Sequence, residues 1–393
     1  MVLILYKSVL DPASGSISFA YFGKFFARKY YWSTLVNSFK VTIVSTFVAA
    51  TLGLIMAYVL SSVKIRGSQF LNILIVISYL SPPFIGAYAW IQLLGRNGFI
   101  TKILNSLFHV QLAGIYGFSG MVLVFSLQSF PLVYMYISGA LKNLDNSLNE
   151  AAESLGCTPF QRVTKIILPL VMPTMLASSL LVFMRVFSDF GTPMLIGEGY
   201  KTFPVLMYSQ FMGEVNTDDN FAASLCVIVI AITLLLFFLQ RWLGNRCTYS
   251  MTALKPMEAQ EAVGVKKVLS HLLVYGIALL AMLPQITVII TSFLATSGGS
   301  VYSGGFSLDN YRNTLLSKDK SAITNTYVFG LCAIVIVVIL GILISYLTVR
   351  KKSLLTNALD TVTMFPYIIP GSVLGISFLY AFNREPLMLS GTA

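Results

Sequence analysis

Charge is what this sequence has least of. Asp, Glu, Lys and Arg make up only 10% of its 393 residues, against 56% hydrophobic residues and a mean hydropathy of +0.80. A soluble domain carries about 25% charged residues. A water-facing exterior is therefore excluded, and lipid must solvate most of the surface. Histidine is nearly absent: His109 and His271 are the only two. The four cysteines, Cys157, Cys226, Cys247 and Cys332, form no CxxC pair. These spacings offer no metal-ligand cluster and no disulfide framework, so no metal site is expected. No G-x-x-x-x-G-K-[ST] segment occurs, so any ATP must be bound and hydrolysed by a partner subunit, and no cofactor of the chain's own is expected. His, Asp and Glu do not cluster within the apolar runs, which leaves an integral-membrane enzyme without its chemistry. Few acids lie there at all, which disfavours the alternative of a secondary transporter driven by an ion gradient. The net charge of +11 would suggest nucleic acid in a soluble protein. Here Lys and Arg fall mainly in loops between apolar runs, where they set membrane orientation, and no nucleic-acid partner is implied.

What the sequence does have is apolar runs long enough to cross a bilayer, which takes about 20 residues of helix. Spans are predicted over 37–60, 70–94, 118–141, 170–190, 221–242, 269–293, 327–349 and 354–382, with loops over 95–117, 191–220, 244–268 and 295–322. Residues 1–10 are apolar but too short to span, and 11–33 read as a polar, aromatic interface segment. Prolines interrupt several spans: Pro82 and Pro83 after Ser81, Pro131, Pro284, and Pro366 and Pro370 before Gly371. Each removes a helical hydrogen bond, so the chain must kink or break where protein or water can meet the freed carbonyl.

One polar island, 142–169, interrupts this pattern, and it reads as two short helices joined at a bend. Asp145 or Asn146 can cap the first helix, with Glu150 and Glu153 near its positive end. Ala151 and Ala152 are small enough for a partner to approach the backbone, and Gly156 permits the bend. Pro159 can start the second helix, and Pro169 is expected to mark a break before the next span. Glu150-Ala151-Ala152, then Gly156, then Ile166, Leu168 and Pro169 resemble the coupling loop of inner-membrane permease subunits of ABC importers. That resemblance implies an all-α polytopic transmembrane bundle of the type I importer (MetI-like) kind in a bacterial inner membrane. It also implies a cytoplasmic loop docked on an ABC ATPase subunit, and a periplasmic or extracellular solute-binding protein on the other side.

With the island placed inside, Lys64, Arg66, Arg241, Arg246, Lys255, Lys266, Lys267, Arg350, Lys351 and Lys352 are inside too. The acids Glu198, Glu214, Asp218 and Asp219 fall outside. Lys24, Arg28 and Lys29 also land outside, against the positive-inside bias. The acidic and Gly-rich outer loops are the expected contact for the binding protein.

The chain also repeats itself. Asn37, Gly53, Tyr58 and Pro82 recur as Asn325, Gly341, Tyr346 and Pro370, each at an interval of 288. Six spans separate equivalent points, so the copies share an orientation. The expected organisation is a first permease repeat over 1–243, a cytoplasmic linker over 244–268, and a second repeat over 269–393. A second coupling loop would fall near 438 (150 plus 288), beyond residue 393, so the sequence is expected to be a fragment of a fused double permease. Phe187-Ser188-Asp189-Phe190-Gly191-Thr192-Pro193 and Gly305-Phe306-Ser307-Leu308-Asp309-Asn310-Tyr311 resemble the ferric-iron importers of this kind. Thiamine, phosphonate and polyamine importers share much of the pattern. Arg185 and Asp189 lie four apart on one helix face, either as gate residues or as a helix-end ion pair. With Pro82, Pro83, Pro366 and Pro370 they are the candidates for the translocation pathway.

Overall fold

The structure, a computed structural model, describes residues 2–10, 16–109, 113–212, 218–246, 259–297, 301–316, 320–351, 353–383 and 388. Glu214, Cys247, Lys255 and Lys352 lie outside them. The described chain is helical apart from one hairpin. In order, the helices are α1 (Val2–Ser8), α2 (Ala20–Ala27), α3 (Lys29–Ser62), α4 (Ser68–Tyr79), α5 (Pro83–Leu94), α6 (Phe99–Phe108) and α7 (Phe118–Lys142). Next come α8 (Asn146–Ser154), α9 (Pro159–Arg162), α10 (Leu168–Ser188), α11 (Gly191–Ile196), α12 (Phe203–Met212), α13 (Asp219–Arg246) and α14 (Val265–Ser292). Strands β1 (Leu294–Ser297) and β2 (Val301–Phe306) pair antiparallel, and α15 (Asp309–Leu316), α16 (Lys320–Arg350), α17 (Leu354–Ile368) and α18 (Gly371–Phe382) close the chain. Among the described residues, six helices are long and apolar enough to cross a membrane, and α4 with α5 and α6 forms a seventh candidate bent by 103°.

Two compact units divide the chain: Met1–Gln285 with Pro370–Ala393, and Ile286–Ile369. The first is built on α3 and α7, its most extensively packed helix pair. Gly53 makes that packing possible, because a Cβ there would sit 2.7 Å from Val133 Cβ and 2.9 Å from the Tyr134 nitrogen. Around the crossing, Met56, Val124, Phe130, Val133, Ile137 and Leu141 are buried in one apolar cluster, which Val171, Val182 and Val274 join from α10 and α14. In the second unit, Asn310 Nδ2 donates to the carbonyls of Ser292 and Leu294 and so ties α15 to the start of the hairpin.

Several expected loops are structured. α3 begins at Lys29, eight residues ahead of the expected start, and Tyr31 packs against Phe221 at a ring separation of 4.9 Å. The aromatic residues there suit a helix lying in the interface as well as they suit a loop. The segment 191–220 contains α11 and α12, and α12 is anchored because Phe203, Leu206 and Met207 are buried and the Phe203 N–H donates to Ser38 Oγ (2.8 Å). α6 occupies the middle of 95–117, and the hairpin and α15 occupy much of 295–322. Pro366 lies within α17, whose helix runs on to Ile368, so the interruption falls at Pro370 and not at Pro366.

Lys24 sits 3.2 Å from Asp218 and over the Phe221 ring, and Lys7 sits 3.3 Å from Asp219. Arg96 pairs with Glu198 at 2.5 Å. Of the outer acids expected to face a partner, Glu198, Asp218 and Asp219 thus each have a cation beside them. The same pairing accounts for Lys24, one of the outward exceptions to the charge bias: Asp218 neutralises it.

Candidate functional site

The polar island forms a helix, a bend and a second helix, and each junction is closed by hydrogen bonds. Asp145 Oδ1 accepts from the Ser147 N–H (3.0 Å) and caps α8. Glu150 and Glu153 lie past the first turn, so Asp145 alone meets the positive end of the helix. Glu150 instead accepts from Asn146 Nδ2 (2.9 Å), one turn back on the same face. At the other end, Gly156 takes φ +79, the left-handed conformation that costs other residues about 1–2 kcal/mol. Its N–H donates to the Glu153 carbonyl (2.9 Å) and the Cys157 N–H donates to that of Ala152 (3.0 Å). This crossed pair is the Schellman closure that left-handed Gly allows.

Thr158 then caps α9 reciprocally. Its hydroxyl accepts from the Gln161 N–H (3.3 Å), and Gln161 Oε1 accepts from the Thr158 N–H (3.0 Å). Arg162 reaches back across the bend to Glu153 at 2.7 Å. The T-x-x-Q spacing of this cap was readable in the sequence, whereas the Glu153–Arg162 bridge depends on the bend angle and was not.

Pro169 does not break the helix. The chain is helical from Pro159 to Ser188, a rod of 30 residues. One π-turn over Val163–Ile167 precedes the proline, and the Leu168 N–H donates to the Val163 carbonyl five residues back. The wider turn makes room where an α-turn would set the proline ring against a carbonyl. The second half of the island and the span after it thus form one continuous helix. Ala152 and Ile167 are buried, at 4% and 5% exposure, whereas Leu155 is 85% and Phe160 76% exposed. Glu150, Ala151, Gly156 and Pro169 are exposed, and Ile166 and Leu168 are half-buried. Two large apolar side chains therefore stand in the open on either side of the Gly156 bend, and composition did not single them out.

The pathway candidates divide. Pro82 and Pro83 break α4 from α5, with Pro82 as the N-cap of α5 at φ −59, ψ 138. Pro82 has no N–H to give the Ser78 carbonyl, and Gln285 Nε2 of α14 donates to that carbonyl instead (3.1 Å). Of the two readings for Arg185 and Asp189, the close helix-end ion pair is not formed: no Arg185 nitrogen lies within 4 Å of the Asp189 carboxylate. Arg185 lies over the Tyr79 ring at 4.4 Å, and Asp189 Oδ1 accepts from the Thr192 N–H (3.0 Å) to start α11. An aromatic face competes well for a guanidinium near a membrane edge, and a free N–H competes well for the carboxylate. Phe84 packs edge-on to Phe190 (5.2 Å) and closes over Gly191, so the α4–α5 break and the α10–α11 corner meet. Pro370 caps α18 with φ −54 and ψ 138, close to the values at Pro82. The side chain of Pro366 is outside the described residues. Among the described residues, no three His, Cys, Asp or Glu side chains converge as metal ligands.

A broken span, a polar helix–bend–helix and a bundle built around α3 and α7 define a multi-pass membrane protein. Residues 49–249 match the family described as binding-protein-dependent transport system inner membrane component. The chain belongs to that family, and it is a multi-pass protein of the bacterial inner membrane. It is 26% identical over 419 residues to the putative ferric transport system permease protein FbpB 1 of Haemophilus influenzae, covering 100% of this chain and 64% of that protein. The chain thus spans less than two-thirds of that relative's length. The molybdenum transport system permease protein ModB of the same organism is 32% identical over 221 residues, 54% of this chain and 93% of that protein. Among solved structures, a bacterial ABC transporter involved in import of the acidic polysaccharide alginate superimposes with a TM-score of 0.51 at 14% identity. It covers 63% of this chain and 90% of that one, and supports the fold.

Proposed function

We propose that this chain is the translocation subunit of an ATP-driven importer, and that its α8–α9 bend is gripped by a separate ATPase on the cytoplasmic side. One observation carries the reading: Leu155 and Phe160 are exposed on a bend held by caps and an ion pair, at the end of an unbroken 30-residue helix. Such a rod is about 45 Å long, so a displacement at α9 reaches the opposite end of the bundle without a flexible joint. Burying the two side chains against a partner would contribute roughly 3–6 kcal/mol. A solute-binding protein on the outer side delivers the solute, with ferric iron as the substrate. Support for iron is the likeness to a ferric permease along the whole chain. The higher identity to the molybdenum permease, over a shorter stretch, supports an oxyanion as the second reading.

We also read α2–α5 and α15–α18 as two copies of one unit. α5 and α18 each hold 12 residues, and 371 minus 83 and 382 minus 94 both give 288. The ends of α3 and α16 obey the same interval, 350 minus 62.

The test is co-purification and transport. Leu155→Glu with Phe160→Glu should release the ATPase and abolish ATP-dependent uptake of radiolabelled iron into vesicles while leaving membrane insertion intact. Retained ATPase and normal uptake would sink the docking reading. Docking intact with uptake of molybdate and none of iron would replace the substrate alone.

A further inference from the structure

We propose that the groove between the end of α3 and the start of α14 holds the phosphate of an anionic phospholipid headgroup. The groove has a volume of about 570 Å³ and is lined by Lys64, Arg66, Glu261, Lys267, His271 and Tyr275, among others. Among the described residues Glu261 is its one acid, and Lys64 takes it at 3.5 Å. Arg66 and Lys267 enter no ion pair among the described residues. Among the described residues, two cations therefore face the cavity beyond the one that Glu261 pairs.

The groove is built by backbone, which leaves those side chains free for a ligand. The Arg66 N–H donates to His271 Nε2 (3.4 Å), and the Arg66 carbonyl accepts from the Tyr275 hydroxyl (2.5 Å). Since Nε2 accepts, Nδ1 carries the proton and donates to the Lys267 carbonyl (2.8 Å). The Lys64 N–H donates to the Gln260 carbonyl (2.9 Å) and the Gln260 N–H to that of Ser62 (3.0 Å), which fixes the opposite wall. Lys267 lies in the first turn of α14, whose positive end adds to the field.

Depth and apolar surface favour a lipid over a soluble anion. At 28 residues α14 is about 42 Å long, against a hydrocarbon core of about 30 Å, so its first turn lies at headgroup level. Leu269 and Leu272 are exposed on the same helix just past Lys267, where acyl chains would run. The ends of α3 and α7 line a second cavity together, through Leu60, Ser61, Leu141 and Lys142, so the groove opens at the same end of the bundle as the α8–α9 bend. That end bears the basic loops, and so faces the inner leaflet.

The experiment titrates the purified 393-residue chain in detergent with phosphatidylglycerol, phosphatidylcholine and inorganic phosphate, read by native mass spectrometry and thermal shift. Phosphatidylglycerol should bind and raise the melting temperature. Arg66→Ala with Lys267→Ala should weaken it about 25-fold, roughly fivefold per charge. Arg66→Lys with Lys267→Arg should restore it. Because the clamp uses the backbone of Arg66, the alanine variant should melt like the native chain without lipid. Binding to the native chain should also weaken as salt rises, a measurement that needs no variant. Equal affinity for phosphatidylcholine, equal affinity for inorganic phosphate, unchanged affinity in the alanine variant or insensitivity to salt would each overturn the proposal.

Discussion

Replacing Gly156 tests whether the bend itself transmits force. A Cβ added at this position meets no atom within 4 Å, so alanine acts through the backbone alone. The bend is held by two Schellman hydrogen bonds worth about 1 kcal/mol each. The Glu153–Arg162 bridge, whose carboxylate is largely exposed, adds about 0.2–1 kcal/mol. Alanine at φ +79 costs about 1–2 kcal/mol, comparable with what holds the closure, and a β-branched residue costs more. Gly156→Ala should therefore lower the population of the closed bend by roughly 5- to 30-fold relative to its open forms. Gly156→Val should lower it further, and Gly156→Asn, which tolerates the left-handed region, should stay near native. The assay is ATP-dependent uptake in proteoliposomes beside the melting temperature of the isolated chain. Uptake should fall in the order Asn, Ala, Val, with melting nearly constant because no core contact is touched. Native uptake in the valine variant, or a fall in melting that tracks the fall in uptake, would refute the reasoning.

Other positions probe the frame around the bend. Gly53→Leu would drive a side chain into Val133 and the Tyr134 backbone, and should lower stability by about 1–3 kcal/mol, read as a lower melting temperature in detergent. Gln285→Leu removes the donor to the Ser78 carbonyl; about 0.6–1.7 kcal/mol should be lost, with faster maleimide labelling at the α4–α5 break when Ser81→Cys supplies the thiol there. Cys157, partly buried in the bend, should react with a membrane-impermeant maleimide in inside-out vesicles and stay unlabelled in right-side-out ones.

Much of this molecule was legible because lipid makes hydropathy and proline speak plainly. The break at Pro82 and Pro83 follows from two missing N–H groups, and the bend at Gly156 from one missing Cβ. Pro159 announces the start of α9. The errors lie where tertiary contacts overrode local signals. Pro169 is carried through by a π-turn, and Arg185 lies over the Tyr79 ring where a helix-end pair with Asp189 was one of two readings. The partners of the outer acids, Lys7, Lys24 and Arg96, lie across long sequence separations that no local pattern shows. The buried face of α12 was hidden because its apolar run is too short to span and its anchor, Ser38, lies in α3. Leu155 and Phe160 could not be told from ordinary loop residues until their neighbours were placed.

The reach of Gln285 into the α4–α5 break has a consequence for how the chain can be divided. A transporter severed between α13 and α14 would leave its first piece with a bare acceptor at membrane depth, and its second with an idle amide. Each half would be incomplete in lipid until it met the other, so covalent continuity here doubles as a chaperone for the broken helix.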